Sequence, residues 1–75
     1  MSATPVISAR KLMTILARLG FIEVRSRGSH RRFVHPDGRK TTVPVHRGRD
    51  LPRGLLRQIV TIDLGLTMGE FVELL

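Results

Sequence analysis

From Ser8 onward the apolar side chains fall at Leu12, Ile15, Leu16 and Leu19, the three- and four-residue spacing that lines one side of a helix. Ser8 is placed to cap its N-terminus and Gly20 to end it. Arg10, Lys11, Thr14 and Arg18 fill the opposite side, and Met13 flanks the apolar stripe. Residues 1–7 read as an N-terminal tail.

After Gly20 the period changes. The segment FIEVRSR is aromatic and β-branched, as strands are, and Gly28-Ser29 interrupt it. HRRFVH and RKTTVPVH read as two more strands around Pro36-Asp37-Gly38, a hairpin turn by composition. A three-residue loop pairs His35 with Arg39, so paired residue numbers sum to 74. Phe33 then opposes Thr41 on the side of Val43 and Val45, the natural core face. Arg31 shares that face and is expected at its rim with its head in water. His30 opposes Pro44 on the other face, and His46 follows two residues further along the same edge. Pro44 cannot donate a ladder hydrogen bond, which puts its strand at the edge of the sheet.

A second helix is expected to open with Asp50 as N-cap and Pro52 in its first turn. Leu55, Leu56, Ile59, Val60 and Ile62 give it a broad apolar side, and Gly65 ends it. Thr67 and Glu70 form a T-x-x-E capping box before a short final helix. Asp63 and Glu73 are expected on a solvated acidic surface. The predicted fold is α+β: one α-β-β-β-α domain over residues 8–75, a three-stranded antiparallel sheet with helices on one face and a short extra C-terminal helix.

Charge adds a partner to this picture. The chain holds 13 Lys and Arg against 6 Asp and Glu, a net +7. Residues 25–57 contain ten of those bases and only Asp37 and Asp50 as acids, whereas residues 58–75 contain three acids and no base. A basic block of this kind calls for an anionic partner, most simply nucleic acid. The three phenylalanines offer little base stacking, so sequence preference should be weak. The chain has no cysteine and no apolar run near the roughly 20 residues that span a bilayer. A cytoplasmic domain without membrane attachment is expected.

Candidate chemistry rests on His30, His35 and His46, since histidine is the side chain that exchanges protons near neutral pH. His30 and His35 end one short strand, roughly 16 Å apart at strand rise, so they cannot share an ion. No carboxylate or cysteine is expected near His30 and His46, and surrounding arginines repel a cation; no metal or other cofactor is expected. His35 reads as a turn residue. His30 is the candidate catalytic residue, within RSRGSHRRF. Gly28 and Ser29 offer backbone and hydroxyl to a phosphate, while Arg27, Arg32, His46 and Arg47 supply further contacts. RNA brings its own nucleophile, the ribose 2′-hydroxyl, so one histidine can assist strand scission without a metal. The same residues equally suit a non-catalytic RNA-binding module.

Three features in this order, Gly28-Ser29-His30 with Phe33, TVPVH ending at His46, and LPRGLLRQI opening the second helix, resemble the HicA toxins of bacterial and archaeal toxin–antitoxin pairs. The likeness runs from Ser8 to Leu75. It implies a fold similar to the double-stranded-RNA-binding domain and a ribosome-independent mRNA interferase with His30 as the catalytic histidine. It also implies mRNA as substrate and a HicB-type antitoxin that covers the active surface and represses the shared operon. A monomeric free toxin is expected. The lead MSATPVIS departs from the family's helix-first start.

Overall fold

The computed structural model describes residues 4–75, so residues 1–3 of the expected tail lie outside the described residues. In chain order the elements are α1 (Ala9–Leu19), β1 (Ile22–Arg27), β2 (His30–Val34), β3 (Lys40–Pro44), α2 (Arg53–Gln58), a π-turn (Ile59–Asp63) and α3 (Met68–Val72). The sheet is antiparallel in the order β1-β2-β3, which leaves β1 and β3 as edges. Pro44 therefore sits on an edge strand, where its missing N–H costs no ladder bond.

Local chemistry closes α1 at both ends. The Ser8 hydroxyl accepts from the Lys11 N–H at 3.1 Å, and Gly20 takes a left-handed φ of 99° while its N–H bonds back into the last turn. Leu12, Ile15 and Leu16 are fully buried. Ile7, inside the expected tail, is buried too, and its carbonyl accepts from the Leu51 N–H at 2.9 Å. Next to it Ser8 bridges Asp50. Asp50 is thus drawn to the start of α1 and does not cap α2, whose N-cap is Pro52, with no side-chain cap.

The β2–β3 register is the one that loop length and alternation dictate: His30 opposes Pro44, Arg31 Val43, Arg32 Thr42, Phe33 Thr41 and Val34 Lys40. The His35 N–H donates to the Arg39 carbonyl at 2.8 Å, closing the three-residue loop. Phe33, Thr41 and Val43 lie buried on the face that α1 and the π-turn cover. Arg31 shares this face at its rim and reaches Glu23 at 3.3 Å, though its Nε is buried without a hydrogen-bond partner.

The second helix departs from the expected pattern for a packing reason. Residue 63 lies seven, four and three positions after Leu56, Ile59 and Val60, so a regular α-helix would aim Asp63 at the core. Instead the Leu64 N–H bonds to the Ile59 carbonyl at 2.9 Å, an i→i−5 bond that inserts one extra residue. Leu64 then fills the core position at 1% exposure, worth about 1.5–3 kcal/mol of burial, and no bare carboxylate is desolvated. The same shift turns Ile62 outward to 70% exposure, so Ile62 leaves the apolar side predicted for it. Asp63 moves to the margin and accepts from the Thr41 hydroxyl at 2.8 Å. It is half-buried and committed to the sheet, whereas Glu73 is solvated as expected.

The capping box forms as the sequence predicts. Glu70 N–H donates to the Thr67 hydroxyl and Thr67 N–H to the Glu70 carboxylate, at 3.0 and 2.8 Å. The Thr67 N–H foremost, and the Thr67 hydroxyl after it, hold the Glu70 carboxyl below its ordinary range.

Candidate nucleic-acid interface and active site

Cross-strand partners share a face of the sheet. The face opposite Phe33 and Val43 is uncovered and displays three rows: Arg27–His30–Pro44, Arg25–Arg32–Thr42 and Ile22–Val34–Lys40. None of these residues is buried, and none is acidic.

A bulge in β1 makes this face basic. Glu23 pairs with Phe33, but Arg25 pairs with Arg32, so Val24 is the extra residue between them. Without it Arg25 and Arg27 would share the helix-covered side with Glu23. With it Glu23 stays beside Arg31, while Arg25 and Arg27 point to the open side. Arg32 is half-buried, and its Nη1 donates to the Thr42 hydroxyl at 3.1 Å.

His30 is the exposed first residue of β2, opposite the last residue of β1, Arg27. Gly28 and Ser29 form the two-residue turn between them. Gly28 has φ of 58° at the first corner and Ser29 has a negative φ, the pattern of a type II′ hairpin. The Ser29 carbonyl accepts from the Val45 N–H at 2.6 Å. This bond carries the β2–β3 register one pair past the strand ends and brings the His46 segment alongside the Gly28-Ser29 turn.

His46 and Arg47 lie in a neighbouring place. With Val45, Gly48 and Arg49 they line one wall of an open cleft of about 460 Å³, and Ser8, Ala9 and Arg10 at the start of α1 line the other. The Arg49 N–H donates to the His46 carbonyl at 3.1 Å and folds this loop back on itself. The candidate residues thus divide between two adjoining sites. Arg27, Gly28, Ser29, His30 and Arg32 belong to the open face and its end turn; His46 and Arg47 belong to the cleft.

His35 is occupied structurally. Its Nε2 lies 3.0 Å from the Leu19 carbonyl and its Nδ1 accepts from the Asp37 N–H at 3.0 Å, so the Nε2-protonated tautomer satisfies both bonds. Its ring meets Phe21 edge-on at 5.0 Å. Asp37 accepts from the Arg39 N–H and guanidinium at 3.0 and 2.8 Å, and these bonds hold its carboxyl below the ordinary range. Among the described residues no three His, Cys, Asp or Glu side chains gather as a metal site would need. Nor, among them, is any helix long and apolar enough to cross a membrane.

Sequence reasoning missed Arg25, Lys40 and Thr42 on the open face. Lys40 and Thr42 follow from the 74-sum register, since they oppose Val34 and Arg32. Arg25 does not, because simple alternation puts it beside Glu23.

A family model described as the HicA toxin of bacterial toxin-antitoxin matches residues 9–66, most of the 75-residue chain. No curated protein matches it.

Proposed function

Because this chain belongs to the HicA toxin family of bacterial toxin–antitoxin systems, we propose that it is a metal-independent endoribonuclease, an mRNA interferase, with His30 as its catalytic residue. The observation that carries the reading is the position of His30: exposed at the end of an uncovered sheet face, opposite Arg27, with no acidic neighbour on that face.

The chemistry follows from the substrate. The ribose 2′-oxygen attacks the adjacent phosphorus, a 2′-O–P bond forms, and the P–O5′ bond breaks. One proton must leave the 2′-hydroxyl and one must reach the departing 5′-oxygen; His30 carries one of these transfers. Arg27, Arg32, the amides of the Gly28-Ser29 turn and the hydroxyl of half-buried Ser29 hold the phosphate and oppose the charge that builds on its oxygens. His46 and Arg47 bind the strand where it passes the cleft. The products end in 2′,3′-cyclic phosphate and 5′-hydroxyl.

Family membership implies pairing with an antitoxin. We assign that partner to the HicB type, acting in the cytoplasm on a monomeric toxin by occupying the surface that RNA uses. The test is induced expression beside His30→Ala at matched soluble levels, with growth and mRNA integrity followed together. Growth arrest and mRNA loss in the parent alone support the enzyme. Intact mRNA with both proteins, together with RNA binding by both, reduces the chain to a binding module.

A further inference from the structure

We infer that the open sheet face carries a second phosphate-binding site, formed by Arg25 of β1 and Arg32 of β2, which holds the RNA phosphate next to the one at His30. It rests on the ribonuclease reading for the identity of the polyanion, and on four features of the face itself.

Arg25 and Arg32 are directly opposed across the β1–β2 pair. Like charges in that relation oppose folding, and an anion between them removes the conflict. Among the described residues Arg25 has no ion-pair partner, and Arg32 reaches only the neutral Thr42 hydroxyl. The bulge at Val24 aims both guanidinium groups to the same side, and Val24, Arg25 and Arg32 line a shallow hollow of about 490 Å³ there. Finally, the row lies two residues along β2 from His30, about 7 Å at strand rise and within one nucleotide's reach.

The next row makes the strand single. Ile22 and Val24 are 61% and 58% exposed, and half-buried Val34 lies opposite Ile22. Apolar side chains beside two arginines suit an unstacked base next to its phosphate. A duplex presents only phosphate and sugar to such a face and leaves them uncovered.

The test separates binding from cleavage by using the full chain with His30→Ala. Affinity for a labelled single-stranded oligouridylate is read by fluorescence anisotropy across a salt series. Adding Arg25→Gln with Arg32→Gln should flatten the slope of log affinity against log salt by about 0.7, one single-strand phosphate contact. Arg18→Gln, on the exposed side of α1, keeps the parent slope. Ile22→Ser weakens binding while leaving the slope alone, and RNA duplex of equal length binds less tightly than the single strand.

A double variant with unchanged circular dichroism and the parent slope overturns the site. So does a variant that keeps its RNA affinity but loses only the antitoxin, because the face is then a protein-docking surface. If the double variant does not fold, Arg25→Gln alone, at an exposed edge position, carries the same readout. The two readings fail separately. Cleavage by the unmutated chain with an unaltered slope removes the second phosphate site and leaves the enzyme standing. A flattened slope without any cleavage does the reverse.

Discussion

The Thr41 hydroxyl donates to the Asp63 carboxylate across 2.8 Å and joins the buried middle of β3 to the π-turn that follows α2. Thr41 is the one polar residue of the described core, at 2% exposure. Its hydroxyl has no water to fall back on, so the bond fixes where the helix may place its acid. Removing the acceptor should cost more than removing the donor. Asp63→Ala strands a buried hydroxyl, about 1–3 kcal/mol, whereas Thr41→Val leaves a carboxylate that can turn to solvent, about 1 kcal/mol. Urea denaturation of both single variants and the double variant gives the coupling; strict additivity would show that the bond contributes nothing.

For the proposed catalysis, His30→Ala should lower cleavage of a short RNA by about 10²–10⁴-fold with little change in affinity. His46→Ala, in the adjoining cleft, should act mainly on affinity. Mapping of the product ends decides the chemistry. Fragments with 5′-phosphate and 3′-hydroxyl ends would rule out attack by the 2′-oxygen.

Two of the turn glycines, Gly20 and Gly28, should respond unequally to alanine. Both have positive φ, 99° at Gly20 and 58° at Gly28, and the left-handed region costs a residue with a side chain about 1–2 kcal/mol. At Gly28 an added Cβ meets open space. At Gly20 it comes to 3.1 Å from His35 Nε2, the atom that reaches the Leu19 carbonyl, so Gly20→Ala should shift the urea midpoint further than Gly28→Ala. Equal shifts would mean that the His35 contact does not anchor the hairpin.

Acid should weaken the fold partly through two named carboxylates. Asp37 is held below its ordinary range chiefly by the Arg39 backbone N–H, and Glu70 chiefly by the Thr67 backbone N–H. A group whose folded value is depressed adds stability above its unfolded value and loses it as pH falls through the folded one. Asp37→Asn with Glu70→Gln should therefore flatten the fall in urea midpoint across the carboxylate range. An unchanged acid limb would assign that loss to other groups.

What the sequence determined by itself is what neighbours along the chain decide. The Ser8 cap, the Thr67–Glu70 box and the three-residue hairpin loop each need only a few adjacent residues, and the loop alone sets every pair between β2 and β3. Because that register is local, the face of His30 was legible before any packing was known. The resemblance in GSH and TVPVH supplied the family in the same way. Asp50 was misread because its neighbour in space, Ser8, is distant in sequence.

Only the tertiary structure decided the two places where the chain breaks its own period. Alternation along β1 would set Arg25 beside Glu23, and helical spacing would aim Asp63 at the core. In the folded protein one face of the sheet is closed by α1 and the other is wet. A bulge at Val24 moves the arginines to the wet side, and the π-turn exchanges Asp63 for Leu64 at the dry one. The bulge, in a strand exposed throughout, sets only which side its arginines face. The π-turn spares Asp63 from desolvation, a cost that does not exist until the distant surface that would bury the charge is in place.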